Sequence, residues 1–302
     1  MVKKPLILLS LLFFGASKNV FASSCCGQNI SSFNILHKNE RLNVGLGYSY
    51  ATTLGRLRED SRRYYVWKSD KQRQVKSINA NFTGSVNDSW QWLAMSSALD
   101  ISYQQEGYQE NYNHLSDTLL GTTYEAVSEY TYDPIKPTVY VSFLLNLPTG
   151  NSASDKVTLT EGAGVTGHNQ WGAGFGVTLF KVWQPWQLKL QSRSLVLLAK
   201  EFDNQQVSNF YDHLLSAFLT YNSHWLELYF SGGLSWSMIT KKEVNGIRAS
   251  DSEVTTNMFS VGRVFGETLS VSFNFSDQSL FGESKNVLIN RTYALTFNYN
   301  IY

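Results

Sequence analysis

A glycine-rich run contains the first residues whose types and spacing could do chemistry. Gly162, Gly164 and Gly167 follow the G-x-G-x-x-G pattern, in which backbone N–H groups bind the pyrophosphate of a dinucleotide. That chemistry needs a helix directly after the glycines, because the helix N-terminus supplies a positive field. No helix and no βαβ unit is predicted around this run. The glycines therefore indicate a flexible loop, and no cofactor is expected.

The histidines and cysteines give no metal site by their spacing. The five histidines, at positions 37, 114, 168, 213 and 224, are scattered, whereas a zinc site needs ligands at short fixed intervals. Cys25 and Cys26 are adjacent, so a bridge between them would need a strained ring. Lipidation of Cys25 after cleavage at Ser24 is an alternative, although Ala22 stands where lipid-attachment boxes carry Leu. No metal is expected, and the chemistry of Cys25 stays open.

Charged residues form a third candidate group, because they share one phase with other polar residues along alternating stretches. The charged members are Asp100, Glu125, Glu129, Lys189, Arg193, Asp212 and Glu227. The uncharged members are Asn79, Asn81, Ser142, Asn146, Gln187, Gln191, Ser270, Ser272, Asn274, Asn298 and Asn300. Opposite charges in this group could pair and fill a narrow interior. The same charges could instead line a polar conduit, and both interpretations remain open.

Twelve stretches of about ten residues position these side chains between Arg41 and Tyr302. Each alternates apolar with polar residues, which is typical of a strand with one apolar face. A tilted strand of about 9–11 residues is long enough to cross a bilayer. The connections alternate between short turns and long polar loops. The sequence therefore predicts an all-β fold, a transmembrane antiparallel up-and-down barrel of about twelve strands. A soluble β-sandwich is the alternative, but it does not normally produce this rhythm.

The apolar face of each stretch predicts which side chains point to lipid. The fifth stretch is the clearest, with Val139, Val141, Phe143, Leu145 and Leu147. The third stretch is predicted to point outward with Leu93, Met95, Leu99, Ile101 and Tyr103. A slip of one residue would reverse such an assignment. The phase of the tenth stretch, within 254–264, is not fixed by its sequence.

The amino terminus carries the features of a secretory signal peptide. Two lysines precede an apolar run, and residues 20–22 fit a cleavage site, so we expect residues 1–22 to be removed. Residues 23–40 are then a periplasmic segment and residues 41–302 are the barrel. Cleavage removes three lysines and no acid, which changes the formal net charge from +1 to −2. No basic field indicates nucleic acid as a partner.

Composition and the carboxyl terminus favour the bacterial outer membrane, with both termini in the periplasm. Only 16% of residues are charged and 14% are aromatic, whereas soluble domains average about 25% charged residues. The last ten residues alternate and end on Tyr302. This end resembles the signal by which outer-membrane barrels are recognised for insertion, although Tyr302 is one step out of phase. Outer-membrane lipid and the barrel-assembly machinery are therefore the expected partners.

Residues 138–182 resemble part of a known family. A strand ends in Leu147-Pro148-Thr149-Gly150, a polar loop follows, and Gly172, Gly174 and Gly176 alternate on the next strand. These features are similar to the bacterial outer-membrane family named for the MetA pathway of phenol degradation. The resemblance implies a barrel associated with the passage of small, often aromatic compounds. The three alternating glycines could open a passage, or make room for a folded-in segment such as 27–40.

A second family resemblance concerns His168. Twelve-stranded outer-membrane phospholipases place a His in this part of the chain and a Ser two residues later. Here position 170 is Gln, so the nucleophile is missing and no catalytic residue is expected. The predicted function is a narrow channel or facilitator for a small-molecule solute. A closed structural or surface-interaction barrel is the alternative, and an outer-membrane hydrolase is the third hypothesis.

Overall fold

The structure is a computed structural model that describes residues 34–36, 40–57, 64–68, 70–128, 133, 135–152, 154, 164–202, 205–223, 227–266, 268–282 and 284–302. The predicted signal peptide, Cys25 and Glu129 lie outside these residues. The strands are β1 (Leu42–Leu57), β2 (Tyr64–Val66), β3 (Lys71–Ser85), β4 (Trp90–Gln105), β5 (Tyr108–Leu115), β6 (Thr118–Val127), β7 (Thr138–Leu147), β8 (Gly172–Trp183), β9 (Trp186–Leu197), β10 (Lys200–Phe202), β11 (Gln205–Val207), β12 (Phe210–Ser223), β13 (Leu228–Ile239), β14 (Glu243–Val244), β15 (Ile247–Arg248), β16 (Ser252–Phe265), β17 (Leu269–Asp277) and β18 (Val287–Ile301).

Twelve of these strands form one closed antiparallel barrel, which confirms the predicted fold class. Their order around the barrel is β1, β3, β4, β6, β7, β8, β9, β12, β13, β16, β17 and β18, which is their order in the chain. The last strand pairs with the first from Leu42↔Ile301 to Leu57↔Val287. Closure leaves no free edge in the barrel, as a β-structure surrounded by lipid requires.

The outer surface of the barrel is apolar and aromatic, as period-two alternation predicts. Phe143 is 50% exposed and Phe175 65%, while the intervening residues of their strands are buried. Aromatic pairs lie where the strands meet the short turns, such as Trp90 with Tyr124 and Trp186 with Tyr221, each pair with ring centroids 4.9 Å apart. An exposed apolar belt edged by Trp and Tyr is typical of a barrel in contact with lipid.

The orientation predicted for the third stretch is wrong. In β4 the odd-numbered residues from Gln91 to Tyr103 are buried inside the barrel, while Trp90 and Trp92 are exposed on its outer surface. Asp100 therefore points outward rather than into the lumen. It lies 3.9 Å from Lys76, and both side chains are about half exposed. The prediction failed because the more apolar face of this strand packs against other apolar side chains inside the lumen, so alternation did not indicate which face meets lipid.

The tenth barrel strand, β16, has the phase that the sequence left open. Phe259 and Val261 are exposed on the outer surface, whereas Met258 and Ser260 line the interior.

The six remaining strands lie in the long loops. β2 and β5 extend the barrel wall, and β10, β11, β14 and β15 form a separate small sheet. Over the described ranges, no helix is long and apolar enough to cross a membrane.

Apolar side chains fill much of the lumen. The leucine cluster, built from β4, β6, β7 and β9, consists of Leu93, Met95, Leu119, Leu144 and Leu195. The outer cluster, near the long-loop ends of β1, β3 and β4, consists of Ala51, Val75, Leu99, Ile101 and Tyr103. A third cluster joins the small sheet to the ends of β9 and β12 through Leu197, Phe202, Val207, Phe210 and Val244. The core of this protein therefore lies inside the barrel.

A short piece of the N-terminal segment also lies in the lumen. Ile35 packs against the leucine cluster, and Leu36 is 2% exposed. The Gln91 side chain holds the Leu36 backbone in both directions, since its Oε1 accepts the N–H at 2.9 Å and its Nε2 donates to the carbonyl at 3.0 Å. Asn34 donates to the side chain of Asn43 at 3.0 Å. The short-turn end of the lumen is thus narrowed by residues 34–36 of the same chain.

Candidate functional site in the barrel lumen

A cavity of about 400 Å³ lies inside the barrel, and Met95 is the one described member of the leucine cluster that borders it. Its walls come mainly from the inward faces of β12, β13, β16, β17, β18, β1 and β3, with contributions from β4, β8 and β9. Asn34 of the N-terminal segment borders it. The space is within the range of small-molecule sites, which span about 300–1,000 Å³. The lumen is therefore filled on one side and hollow on the other.

One wall of the cavity is built from uncharged hydrogen-bonding side chains, which we call the amide wall. Its members are Asn79, Asn81, Ser272, Asn274, Thr296 and Asn298. Asn274 donates to Thr296 at 3.0 Å and to Ser272 at 3.2 Å, so neighbouring strands are tied together across the wall. Amides and hydroxyls can donate and accept hydrogen bonds without a charge. This wall can therefore bind water or the polar groups of a solute.

The opposite wall combines aromatic residues with one cation. The strand register places Lys189 of β9 directly beside Phe180 of β8 and Phe218 of β12. All three line the cavity, together with Met258 and Tyr229. Lys189 is the sole charged residue among the described residues that line this cavity. The two walls thus offer a neutral polar surface facing an apolar surface with a positive centre.

Arg193 and Asp212 form an ion pair that lies nearer than Lys189 to the long-loop end of the lumen. The guanidinium Nη2 donates to the Asp212 carboxylate at 3.0 Å, and each side chain is 13% exposed. Arg193 Nε is buried without a hydrogen-bond partner in the described part of the chain. Removal of either member of such a buried pair reduces the stability of the fold, because the remaining charge is left uncompensated. The pair crosses from β9 to β12 and holds these strands at the side of the cavity.

Asp117 anchors the loop that follows β7. Its carboxylate accepts backbone N–H groups from Gly150 at 2.9 Å, His168 at 2.6 Å and Asn169 at 3.3 Å. Asp117 is 5% exposed. A Cβ at Gly150 or Gly167 would lie within 3 Å of Asp117, so only glycine allows this approach. The carboxylate therefore fixes both ends of the loop at the long-loop end of the barrel.

The second half of that loop, residues 164–170, is folded into the barrel mouth and is called the mouth segment here. Val165 and Thr166 are at most 1% exposed. The Gln170 carbonyl accepts from Asn146 at 3.0 Å, and Lys200 donates to the Asn169 carbonyl at 2.7 Å. Bonds to β7 and to the small sheet therefore hold this segment from two sides. It lies at the long-loop end of the lumen.

His168 belongs to the mouth segment. Its ring packs edge-on against Phe210, with centroids 5.2 Å apart. Burial lowers the pKa of His168, and the nearby carboxylates of Asp117 and Asp212 oppose this effect. The ring is therefore neutral at pH 7. Gln170, which stands where a phospholipase nucleophile would be, is 1% exposed and donates to the Leu198 carbonyl at 2.9 Å. Both residues support the packing of the mouth segment.

The residues between 148 and 176 that resemble a family motif make structural contacts. Thr149 donates to the Ser116 carbonyl at 2.6 Å, directly after Pro148, and so continues the Asp117 anchor. A Cβ at Gly172 would lie 2.7 Å from the Leu197 side chain, and one at Gly174 would overlap the Ser194 carbonyl. Gly172 and Gly174 thus let β8 approach β9 closely. They do not open a passage at this place in the wall. Gly176 is buried beside Arg193.

Two of the charged candidates from the sequence lie away from the lumen network. Asp100 is outside the barrel, as described above. Glu227 lies at the start of β13 and pairs with Arg263 at 2.9 Å, with both side chains more than half exposed. It lies away from Lys189, Arg193 and Asp212. Because β13 begins at Leu228, Glu227 belongs to the turn before that strand. Glu125 points inward from β6 and is 8% exposed. Among the described residues, no cluster of His, Cys, Asp or Glu could hold a metal ion.

Sequence reasoning missed Asp117 and Gln91, which hold the mouth segment and the N-terminal segment. Neither residue stands out locally, because Asp117 occurs in a polar stretch and its donors are 33 to 52 residues away. It also missed the apolar filling of the lumen. One signal was present, since Trp90 and Trp92 begin β4, where aromatic residues of an interface girdle belong. That signal would have reversed the phase of the strand.

Comparison with known proteins supports the fold. No family model and no curated protein matches the chain. The COG4313 outer membrane channel from Pseudomonas putida F1 is similar in structure, with a TM-score of 0.67 and 12% identity over 89% of this chain and 98% of the other. The β domain of the Bordetella autotransporter BrkA gives 0.49 and 9% identity, over 87% and 100%. The NanC porin gives 0.46 and 12%, over 86% and 100%. The chain therefore has the fold of bacterial outer-membrane barrels.

Proposed function

We propose that this chain is a narrow outer-membrane channel or facilitator for small molecules. The observation that carries the proposal is the cavity beside the amide wall, since side chains there line space instead of filling it. A barrel with a purely structural role would gain stability by packing this side as tightly as the leucine cluster. Solutes would pass along the amide wall, and the mouth segment would have to move to admit them. The resemblance of residues 138–182 to a family linked with aromatic compounds agrees with Phe180 and Phe218 in the cavity wall.

A closed barrel without transport is the second candidate, and the filled side of the lumen favours it. The leucine cluster and the outer cluster occupy the interior along β1, β3, β4, β6, β7 and β9. Twelve strands also enclose less space than the 16–18 strands of a water-filled porin. In this alternative the mouth segment is a permanent closure, and the protein acts through its long loops.

Planar-bilayer conductance of the purified full chain separates the two candidates. A channel gives discrete current steps, and Asp117→Asn gives larger or longer openings because the backbone N–H groups of the mouth segment lose a charged acceptor. Asp100→Asn is the matched control, since it removes the same charge from the outer surface. If the wild type and Asp117→Asn are both silent, and liposomes that contain either do not swell, the closed barrel is the better conclusion.

We also propose that the short turns and both termini face the periplasm, with the β18 strand recognised by the assembly machinery. A cysteine introduced at Asn245, in the turn between β14 and β15, should react with an impermeant reagent on intact cells. One at Asp88, in the exposed turn before β4, should react only after the outer membrane is permeabilised. The reverse pattern would invert the orientation.

A further inference from the structure

We propose that the outer surface of β12, β13, β16 and β17 binds one zwitterionic phospholipid. An acyl chain of this lipid lies in a groove over Gly232, and its headgroup is held by Arg263 and Glu227. The inference is separate from the proposed channel function, because it concerns the surface that faces lipid. Three features carry it, namely an apolar groove, a glycine that the fold does not require, and an exposed pair of opposite charges.

The groove has a volume of about 720 Å³ and lies in the apolar belt of the barrel. Its borders include Leu219 of β12, Phe230 of β13 and Phe259 of β16, each of which is about half exposed. The strand register pairs Gly232 with Leu219 on one side and with Phe259 on the other. The floor of the groove is therefore the place where Gly232 carries no side chain.

Neither packing nor backbone conformation requires a glycine at position 232. A Cβ there would meet no atom of the described chain within 4 Å, and the residue lies in ordinary strand. At Gly174 or Gly262, in contrast, a Cβ would lie within 3 Å of a neighbouring residue. Glycine inside a strand weakens it, and often marks a bulge or the close approach of a ligand. Since β13 pairs with both neighbours without a bulge, we attribute Gly232 to a ligand that approaches from the lipid side.

The charged pair lies between this groove and the short turns. Arg263 shares the outward phase of Phe259, and its guanidinium is 2.9 Å from the Glu227 carboxylate. Both side chains are more than half exposed, and such a pair contributes little to stability. A guanidinium has five N–H donors, so Arg263 can bind a phosphate as well as Glu227. A headgroup with a phosphate and an ammonium complements both residues, whereas an anionic headgroup without an ammonium would leave Glu227 facing negative charge.

The spacing of these features matches one lipid leaflet. Arg263 is four residues along β16 from the level of Gly232, which is about 13 Å at the usual rise of a strand. One leaflet of the hydrocarbon core is about 15 Å thick. Trp186 and Tyr221 line the groove between the two levels, and such rings lie near lipid headgroups. The order of headgroup pair, aromatic pair and apolar groove is therefore the order of the parts of a phospholipid.

The first measurement is native mass spectrometry of the purified full chain in detergent. Dioleoyl phosphatidylethanolamine and dioleoyl phosphatidylglycerol are added at equal concentration. One phosphatidylethanolamine should be retained per chain, with an affinity about two- to fivefold higher than that of phosphatidylglycerol, because an exposed charge pair contributes that much. Equal retention of the two lipids would overturn the headgroup assignment. A lipid-free dimer would show that a second copy covers this surface, and would overturn the proposal.

The second measurement fills the groove. Gly232→Leu should weaken phosphatidylethanolamine binding by about tenfold, because the new side chain occupies the space of several methylene groups. Ala173→Leu is the matched control, since Ala173 shares the outward phase of Phe175 on β8 and lies outside the groove. A change of mobility on heating in gels shows that each variant is folded. Unchanged binding in folded Gly232→Leu protein would contradict the assignment of the acyl chain.

The third measurement separates the two headgroup contacts and does not depend on Gly232→Leu. Glu227→Gln should remove the preference for phosphatidylethanolamine over phosphatidylglycerol, while Arg263→Gln should weaken the binding of both lipids. Glu243→Gln and Arg248→Gln are the matched controls, because these residues form an exposed pair at 3.2 Å on the small sheet. Equal effects in the control pair would mean that lipid binding follows total charge, and would overturn the site. These results do not depend on conductance, so this inference and the channel proposal can fail separately.

Discussion

Leu144 and Asn298 both point into the same lumen, yet they belong to regions built on different principles. Leu144 is 0% exposed within the leucine cluster and is packed as in the core of a soluble protein. Asn298 lines open space in the amide wall. The difference shows that the direction of a side chain does not determine its surroundings in a narrow barrel. What it meets across the lumen decides whether an apolar or a polar residue fits.

The buried ion pair between Arg193 and Asp212 should give the largest effect on stability. Arg193→Ala leaves Asp212 buried without its cation, which should reduce the free energy of unfolding by about 3–5 kcal/mol. Asp212→Ala in the same chain should restore part of this loss, and urea unfolding of the single and double variants measures it. Additive losses would mean that the two residues do not interact, and that this part of the lumen is hydrated like the cavity.

Truncation of the two inward residues compared above tests the contrast directly. Leu144→Ala should cost about 2–5 kcal/mol, because it removes packed methyl groups and leaves a void. Asn298→Ala should cost less than about 1 kcal/mol, since its side chain borders space that water can enter. Thermal or urea unfolding of both variants gives the comparison. Similar losses would show that the amide wall is packed as tightly as the leucine cluster.

Substitution of Asp117 should have an intermediate effect on stability and a larger effect on the accessibility of the mouth segment. Asp117→Asn removes the charge that three backbone N–H groups share, at a cost of about 1–3 kcal/mol. The loss should be local, so proteolysis or hydrogen exchange should increase in residues 164–170 while the barrel strands keep their protection. Protection that falls equally in β3 and β18 would make Asp117 part of the global core.

The pair of Lys76 and Asp100 on the outer surface should have the smallest effect on stability when it is broken. Lys76→Ala should change stability by less than about 1 kcal/mol, because Lys76 and Asp100 are both about half exposed and 3.9 Å apart. The effect should shrink further in high salt. A loss as large as that of Arg193→Ala would place Asp100 in the lumen, as the sequence prediction had it.

The sequence allowed the fold to be predicted because a barrel follows from local rules. Alternation, strand length and turn residues are all visible within about ten residues, and they gave twelve strands in the observed order. The interior was predicted less well because it depends on contacts between distant strands. Leu93 in β4 faces inward only because Leu144 of β7, Leu195 of β9 and the N-terminal segment meet it there. No local pattern carries that information.

The candidate site was predicted in part for the same reason. Lys189, Arg193 and Asp212 point into the lumen as their phase indicated, and two of them form an ion pair. Glu227 was placed inside because the sequence prediction counted it as part of a strand, whereas β13 begins at Leu228. Whether the lumen residues act on a solute remains a prediction. The cavity itself could not be predicted, since it is the space left after the leucine cluster and the N-terminal segment have occupied the rest.

The position of residues 34–36 has a consequence for the order of assembly. Their hydrogen-bond partners, Asn43 and Gln91, lie on the first and third strands of the barrel. These contacts span 9 and 55 residues, so they can form while most of the chain is still unpaired. The seam between β1 and β18 joins the two ends of the barrel and closes a much longer loop than these contacts do. We therefore expect residues 34–36 to be bound to β1 and β4 before the barrel closes. Gln91→Ala should then slow the appearance of the closed, heat-modifiable form in refolding experiments without changing its final β-type circular dichroism spectrum.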